Sequence, residues 1–160
     1  MSLRELISVA KGETPADLLL KNAQIVNTFI GEIEQGDVAI CGDRIAGVGD
    51  YDKAREVIDL QGGFLAPGLI NGHTHIESSM LHPARYAQAV VPRGTSAVAT
   101  DLHEIANVCG SEGIRFVTDI TRKLPLDMLF MAPSCVPATN LETSGAQIGP
   151  KQVKRILAHP

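Results

Sequence analysis

The chain has 160 residues and a mass of 17.0 kDa, enough for one ordinary domain with its own core. Hydrophobic residues make up 44% and charged residues 20%, which excludes a disordered or fibrous chain, and the net charge of -4 argues against a dedicated nucleic-acid binder. No apolar run approaches the ~20 residues a bilayer requires, and Met1-Ser2-Leu3-Arg4-Glu5 lacks the basic-then-apolar form of a secretory signal. Three cysteines at wide spacings (Cys41, Cys109, Cys135) suit a reducing cytoplasm better than a disulfide framework.

Ser2-Leu3-Arg4-Glu5 has the form of a capping box and predicts a short helix to about Lys11, stopped at Gly12. From Ala16 to Phe64 short apolar stretches alternate with glycine and charge. Leu18–Leu20, Ala23–Val26, Val38–Cys41, Ile45–Val48 and Val57–Leu60 read as strands. Gly42-Asp43 lies between two of them, and glycine at the first central position suits a type II′ hairpin turn. Residues 1–64 therefore predict a helix followed by a small, mostly antiparallel β unit.

Residues 65–160 read as strand, loop, helix. The apolar run Phe64–Ile70 ends at Asn71-Gly72-His73-Thr74-His75, and a helix is expected from Pro83 to Val91. Ser96–Thr100 is a second buried strand, ending at Asp101-Leu102-His103-Glu104. Ser111 is a candidate cap for a helix with Ile114, Val117, Ile120 and Leu124 at helical spacing. Met128–Ala132 is a third strand, and Pro150 opens a last helix with Val153, Ile156 and Leu157 on one face. Strands alternating with helices imply α/β architecture, with a parallel sheet and right-handed crossovers.

His73-Thr74-His75 is the sharpest chemical signal. Residues i and i+2 of a strand point the same way, so both imidazoles can face one metal ion. They stand where an apolar strand ends, the side on which parallel barrels carry their active sites. Asp101, His103 and Glu104 end the next strand, and Glu77 follows His75 by two residues. Each has a plainer reading, as a solvated loop residue or as part of an exposed first helical turn. His75-Ile76-Glu77 also fits H-x-E, but the later P-C-x-x-C of that zinc signature is missing, since Pro133-Ser134-Cys135-Val136-Pro137 has one cysteine. Cys135 reads as a small buried residue with no partner histidine nearby in sequence, and His82 and His159 as surface residues.

Pro67-Gly68-Leu69-Ile70-Asn71-Gly72-His73-Thr74-His75 resembles the first-strand motif of the amidohydrolase superfamily. His75-Ile76-Glu77-Ser78-Ser79-Met80, Asp101-Leu102-His103-Glu104-Ile105-Ala106-Asn107-Val108 and Ser134-Cys135-Val136-Pro137-Ala138 are similar to the adenine deaminase branch. The resemblance implies the first three strands of a metal-dependent (β/α)8 barrel preceded by part of a small β domain. It implies a divalent metal, manganese or iron with zinc as an alternative; from their place at the strand ends, His73, His75, Asp101 and His103 are the candidate metal ligands and Glu77 and Glu104 the candidate catalytic carboxylates. The implied reaction is hydrolysis of adenine to hypoxanthine and ammonia, on a small purine with no nucleic-acid or membrane partner, by a homo-oligomer when full length. Two departures stand out: Asn71 where the superfamily usually has Asp, an amide without charge, and Leu102 where relatives often have proline. A cyclic-amide hydrolase of the dihydroorotase or hydantoinase type and a non-catalytic barrel fragment are the competing readings. Three strands cannot close a barrel of ~250 residues. The expectation is therefore the N-terminal part of a longer enzyme, inactive alone.

Overall fold

The computed structural model describes residues 2–158, and the chain divides into two compact units between Pro67 and Gly68. The first unit opens with helix α1 (Leu3–Ala10). Its predicted capping box forms: the Glu5 N–H donates to Ser2 Oγ at 3.3 Å, and the Ser2 N–H donates to Glu5 Oε2 at 2.7 Å.

Five strands follow: β1 (Ala16–Asn27), β2 (Glu32–Cys41), β3 (Arg44–Gly49), β4 (Ala54–Asp59) and β5 (Phe64–Leu65). The stretches Leu18–Leu20 and Ala23–Val26 belong to one strand. The register shifts between them, where Asn22 takes a φ of 55° and donates its N–H to Asp37 Oδ1 at 3.0 Å. The β2–β3 hairpin turns at Gly42-Asp43. Gly42 has a φ of 60° while Asp43 is not among the positive-φ residues, which selects the expected type II′ turn.

The sheet order is β3-β2-β1-β4, with β5 also on β1. The expectation of a small antiparallel unit is corrected here. β1–β2 and β2–β3 are antiparallel, but β4 and β5 both run parallel to β1, so the sheet is mixed. Alternation of apolar residues reveals a strand without its direction. The core of this unit is Val9, Ala16, Leu19, Ala39 and Cys41, with Leu6 and Tyr51 packed against it.

The second unit is a parallel sheet of order β6-β7-β8, with β6 (Leu69–Thr74), β7 (Thr95–Asp101) and β8 (Asp127–Met131). Helix α2 (Pro83–Val90) joins β6 to β7, α3 (His103–Thr121) joins β7 to β8, and α4 (Pro150–Leu157) follows. The apolar run Phe64–Ile70 is thus split. Phe64 and Leu65 complete the first sheet, and Leu69 and Ile70 begin the second. Pro67 has no N–H for a ladder. Gly68 packs so closely over β7 that any Cβ would collide with the Cβ and Oγ of Ser96.

Helix α3 follows the sequence reading in part. Its span holds two helical segments that meet at Gly110 (φ 61°, ψ −148°), a non-helical conformation reserved to glycine, so a helix does restart at Ser111 and a further segment precedes it from His103. The early start is anchored by Leu102 and Ala106, which pack in a core cluster with Ile76, Ile114, Val117, Val136 and Ile148. Val153 and Ile156 of α4 cover that cluster, whereas Leu157 is exposed. Ala87, Val98 and Leu126 form a second cluster. Among the described residues no helix is long and apolar enough to cross a membrane.

Candidate metal centre

The three parallel strands end on the same side of their sheet, and the polar residues that follow each strand converge there. His73 is the penultimate residue of β6 and His75 lies just past its end. Their Nε2 atoms are 3.3 Å apart, so the i, i+2 spacing does turn both rings to one point. Asp101, the last residue of β7, lies beside them: Oδ2 is 4.0 Å from His73 Nε2 and Oδ1 is 3.3 Å from His75 Nδ1. His73, His75 and Asp101 each offer a ligand atom within 4.8 Å of the others.

The chemistry of this donor set fits a divalent cation. Two imidazole nitrogens 3.3 Å apart match neighbouring ligands that each sit about 2.1 Å from a shared ion, and imidazole with carboxylate suits zinc, iron or manganese. His75 has the second-layer support that metal histidines require. Its Nδ1 lies 3.1 Å from Glu104 Oε2. A carboxylate only accepts, so this contact favours the tautomer that donates from Nδ1 and keeps the lone pair on Nε2.

His103 stands behind Asp101 rather than in that group. Its Nδ1 hydrogen-bonds Asp101 Oδ1, which leaves Nε2 as an acceptor 3.0 Å from Cys135 Sγ. Cys135 is therefore corrected on both counts: it is exposed, and it has a histidine partner. The two positions lie 32 residues apart and meet only because β7 and β8 are adjacent.

Glu104 is in the first turn of α3, with Oε1 accepting from Ser78 Oγ at 2.8 Å. Burial pushes its carboxyl up. The Ser78 hydroxyl, a backbone hydrogen bond and His75 outweigh that and hold it below the ordinary carboxylate range. Ser78 went unmarked as a site residue, although it lies inside the motif that follows His75. Glu77 occupies the single-turn 3-10 helix Ile76–Ser79, with Oε1 accepting from the Ile105 N–H at 3.3 Å. Its Oε2 is buried and has no hydrogen-bond partner among the described residues. Burial raises the Glu77 carboxyl above its usual range.

Asn71, the amide in place of the usual acid, accepts from the His73 N–H through Oδ1 at 3.2 Å and so steadies the backbone of the first histidine. His82 caps α2 by accepting from the Ala84 N–H at 3.2 Å, as a surface residue. His159 lies outside the described residues.

Residues 64–158 match the amidohydrolase family. The chain belongs to that family. Amidohydrolases generally work with a divalent metal, and His73, His75 and Asp101 form a group of donors of the kind that can hold one. The chain is 58% identical over 159 residues to an adenine deaminase of Dehalococcoides mccartyi (strain CBDB1), covering 99% of this chain and 28% of that protein. It is 49% identical over 158 residues to adenine deaminase 2 of Carboxydothermus hydrogenoformans, with the same coverage of 99% and 28%. The chain thus spans a little over a quarter of the length of these relatives. Among solved structures, an N-acyl-D-glutamate deacylase from Bordetella bronchiseptica superposes with a TM-score of 0.57 at 13% identity, over 91% of this chain and 35% of that one. That likeness concerns the fold alone.

Proposed function

We propose that this amidohydrolase serves the hydrolytic deamination of adenine to hypoxanthine and ammonia, on a (β/α)8 barrel to which β6, β7 and β8 contribute. The observation that carries the chemistry is the convergence of His73, His75 and Asp101 on one point, with Glu104 behind His75. The choice of adenine rests on the 49% and 58% identity to adenine deaminases.

His73 and His75, through Nε2, and Asp101, through a carboxylate oxygen, would hold manganese or iron. His103 would orient Asp101 through its Nδ1–H. Such an ion lowers the pKa of water to roughly 7 and so supplies hydroxide at neutral pH. The remaining work belongs to the chain. Deamination forms a C6–O bond, breaks the C6–N bond and moves a proton to the departing amine. Besides Asp101, Glu104 is the carboxylate that reaches His75. Held as an anion at neutral pH, it can take a proton from water and deliver it to the departing amine, which leaves as ammonia. Its hydrogen bond from Ser78 fixes the direction from which it does so. Glu77, the other candidate catalytic carboxylate, lies nearby and accepts from the Ile105 N–H. The reading places the protein in the cytoplasm, acting on a small purine.

The test is ammonia release from adenine by the Mn(II)- or Fe(II)-loaded protein in the form in which it is made in its cell, with dihydroorotate ring opening assayed alongside. Ammonia from adenine that disappears in His73→Ala supports the reading. Ring opening without ammonia release assigns the site to cyclic amides instead.

A further inference from the structure

The Glu77 carboxylate touches none of the groups that would hold the ion, and its contacts lead elsewhere. Helix α3 starts after Leu102, whose side chain offers no acceptor, so the free N–H groups of its first turn lack a cap from their own segment. The acceptor comes from 28 residues upstream. Glu77 Oε1 takes the N–H of Ile105, the third residue of the helix, which is the position an N-cap side chain normally serves.

On either side of this bond the same two segments meet again. His75 Nδ1 lies 3.1 Å from Glu104 Oε2, and Ser78 Oγ donates to Glu104 Oε1 at 2.8 Å. Beneath them Ile76, Leu102 and Ala106 are buried in one cluster. The segment 75–78 is thereby stitched to the start of α3, and the central polar stitch is Glu77.

We infer that Glu77 is a positioning residue: its carboxyl caps α3 from outside the helix and so sets where Asp101 and Glu104 stand relative to His75. The inference rests on the metal reading above for its consequence, but not for its geometry.

A cap needs an acceptor of the right reach, whereas a proton carrier needs an ionisable group. Glu77→Gln keeps the acceptor and the length. Glu77→Ala removes both, and Glu77→Asp keeps the charge but withdraws the acceptor. In the full chain, Mn(II) affinity followed by EPR titration should stay within about twofold of wild type in E77Q. It should fall on the order of tenfold in E77A and E77D. Hydrogen exchange at the Ile105 amide should quicken roughly fivefold in E77A and E77D and stay unchanged in E77Q. E77D retains the chain's charge and stands in for E77A if the alanine variant does not fold. Unchanged Ile105 exchange in both shortened variants overturns the inference, as does an E77Q as impaired as E77A. A wild-type chain that binds no Mn(II) overturns the metal reading instead, and the exchange at Ile105 still decides whether Glu77 is the cap.

Discussion

The two units are built from similar apolar strands, yet only one gathers chemistry. In the first, ion pairs are isolated from one another, as with the exposed Arg55 and its partner Asp17 at 2.9 Å or Lys21 and buried Asp37 at 3.8 Å. In the second, His73, His75, Asp101, His103, Glu104 and Cys135 form one connected network. The difference is strand direction. The β1–β2–β3 strands of the first sheet run antiparallel, so residues at successive strand ends go to opposite edges. Three parallel strands send every C-terminal end to the same edge, and residues far apart in sequence become neighbours.

The largest expected effect breaks that contrast directly. His75→Ala should abolish stoichiometric binding of Mn(II) or Co(II), because it removes one of the three groups proposed to hold the ion. Arg55→Ala in the first unit should leave binding intact and shift stability by no more than about 0.5 kcal/mol. Metal titration with equilibrium unfolding checks both. Equal metal binding by His75→Ala and wild type would remove the functional distinction between the sheets.

The cores offer a matched pair. Leu19 is 1% exposed and Leu102 is 0% exposed, so truncating either to alanine should cost about 2–5 kcal/mol in urea unfolding. Only Leu102→Ala, flanked by Asp101 and His103, should also weaken metal binding. A similar loss of affinity in Leu19→Ala would show that the site depends on general stability rather than on the local core.

Gly110→Ala should cost about 1–3 kcal/mol, since a φ of 61° with ψ of −148° suits glycine alone. An added Cβ would also meet Ala146 Cβ at 3.1 Å. Thermal unfolding measures it, and an unchanged midpoint would mean that α3 straightens without penalty.

The smallest effects have opposite signs in the two units. Asp59 is held below its usual range by the Asn22 side chain at 2.8 Å and the Gln61 N–H at 2.9 Å. Its contribution is complete above its unfolded value of about 3.9 and is lost as the pH falls through the lower folded value. Glu77 is raised by burial, so its contribution is complete below its unfolded value of about 4.3 and is lost as the pH rises through the higher folded value. In stability–pH profiles, Asp59→Asn should flatten the acid side of that window and Glu77→Gln the side above it. Two profiles that change in the same direction would contradict the assigned environments.

Much of the fold was legible because it rests on local patterns. The capping box at Ser2, the Gly42-Asp43 hairpin turn and the strands from Thr95 and from Asp127 follow from residues within a few positions of one another. Strand direction was not, because β4 and β5 choose the free edge of β1 through the path of the chain rather than through their own alternation. A first helical turn at His103 and Glu104 was one of two readings of that stretch, and the groups that anchor it, Glu77 and Ile76, lie in another segment.

The sequence by itself determined that His73 and His75 share a face, because two residues of strand separation always restore the same side. It also carried the resemblance to the family, through short motifs at three successive strand ends. Only the tertiary structure decided which distant groups meet them: Asp101 beside the imidazoles, Glu104 and Ser78 on His75, and His103 turned to Cys135. Those contacts arise from the register between parallel strands and from packing beneath the site. Both are set by side chains spread along the chain, so no single stretch of residues contains them.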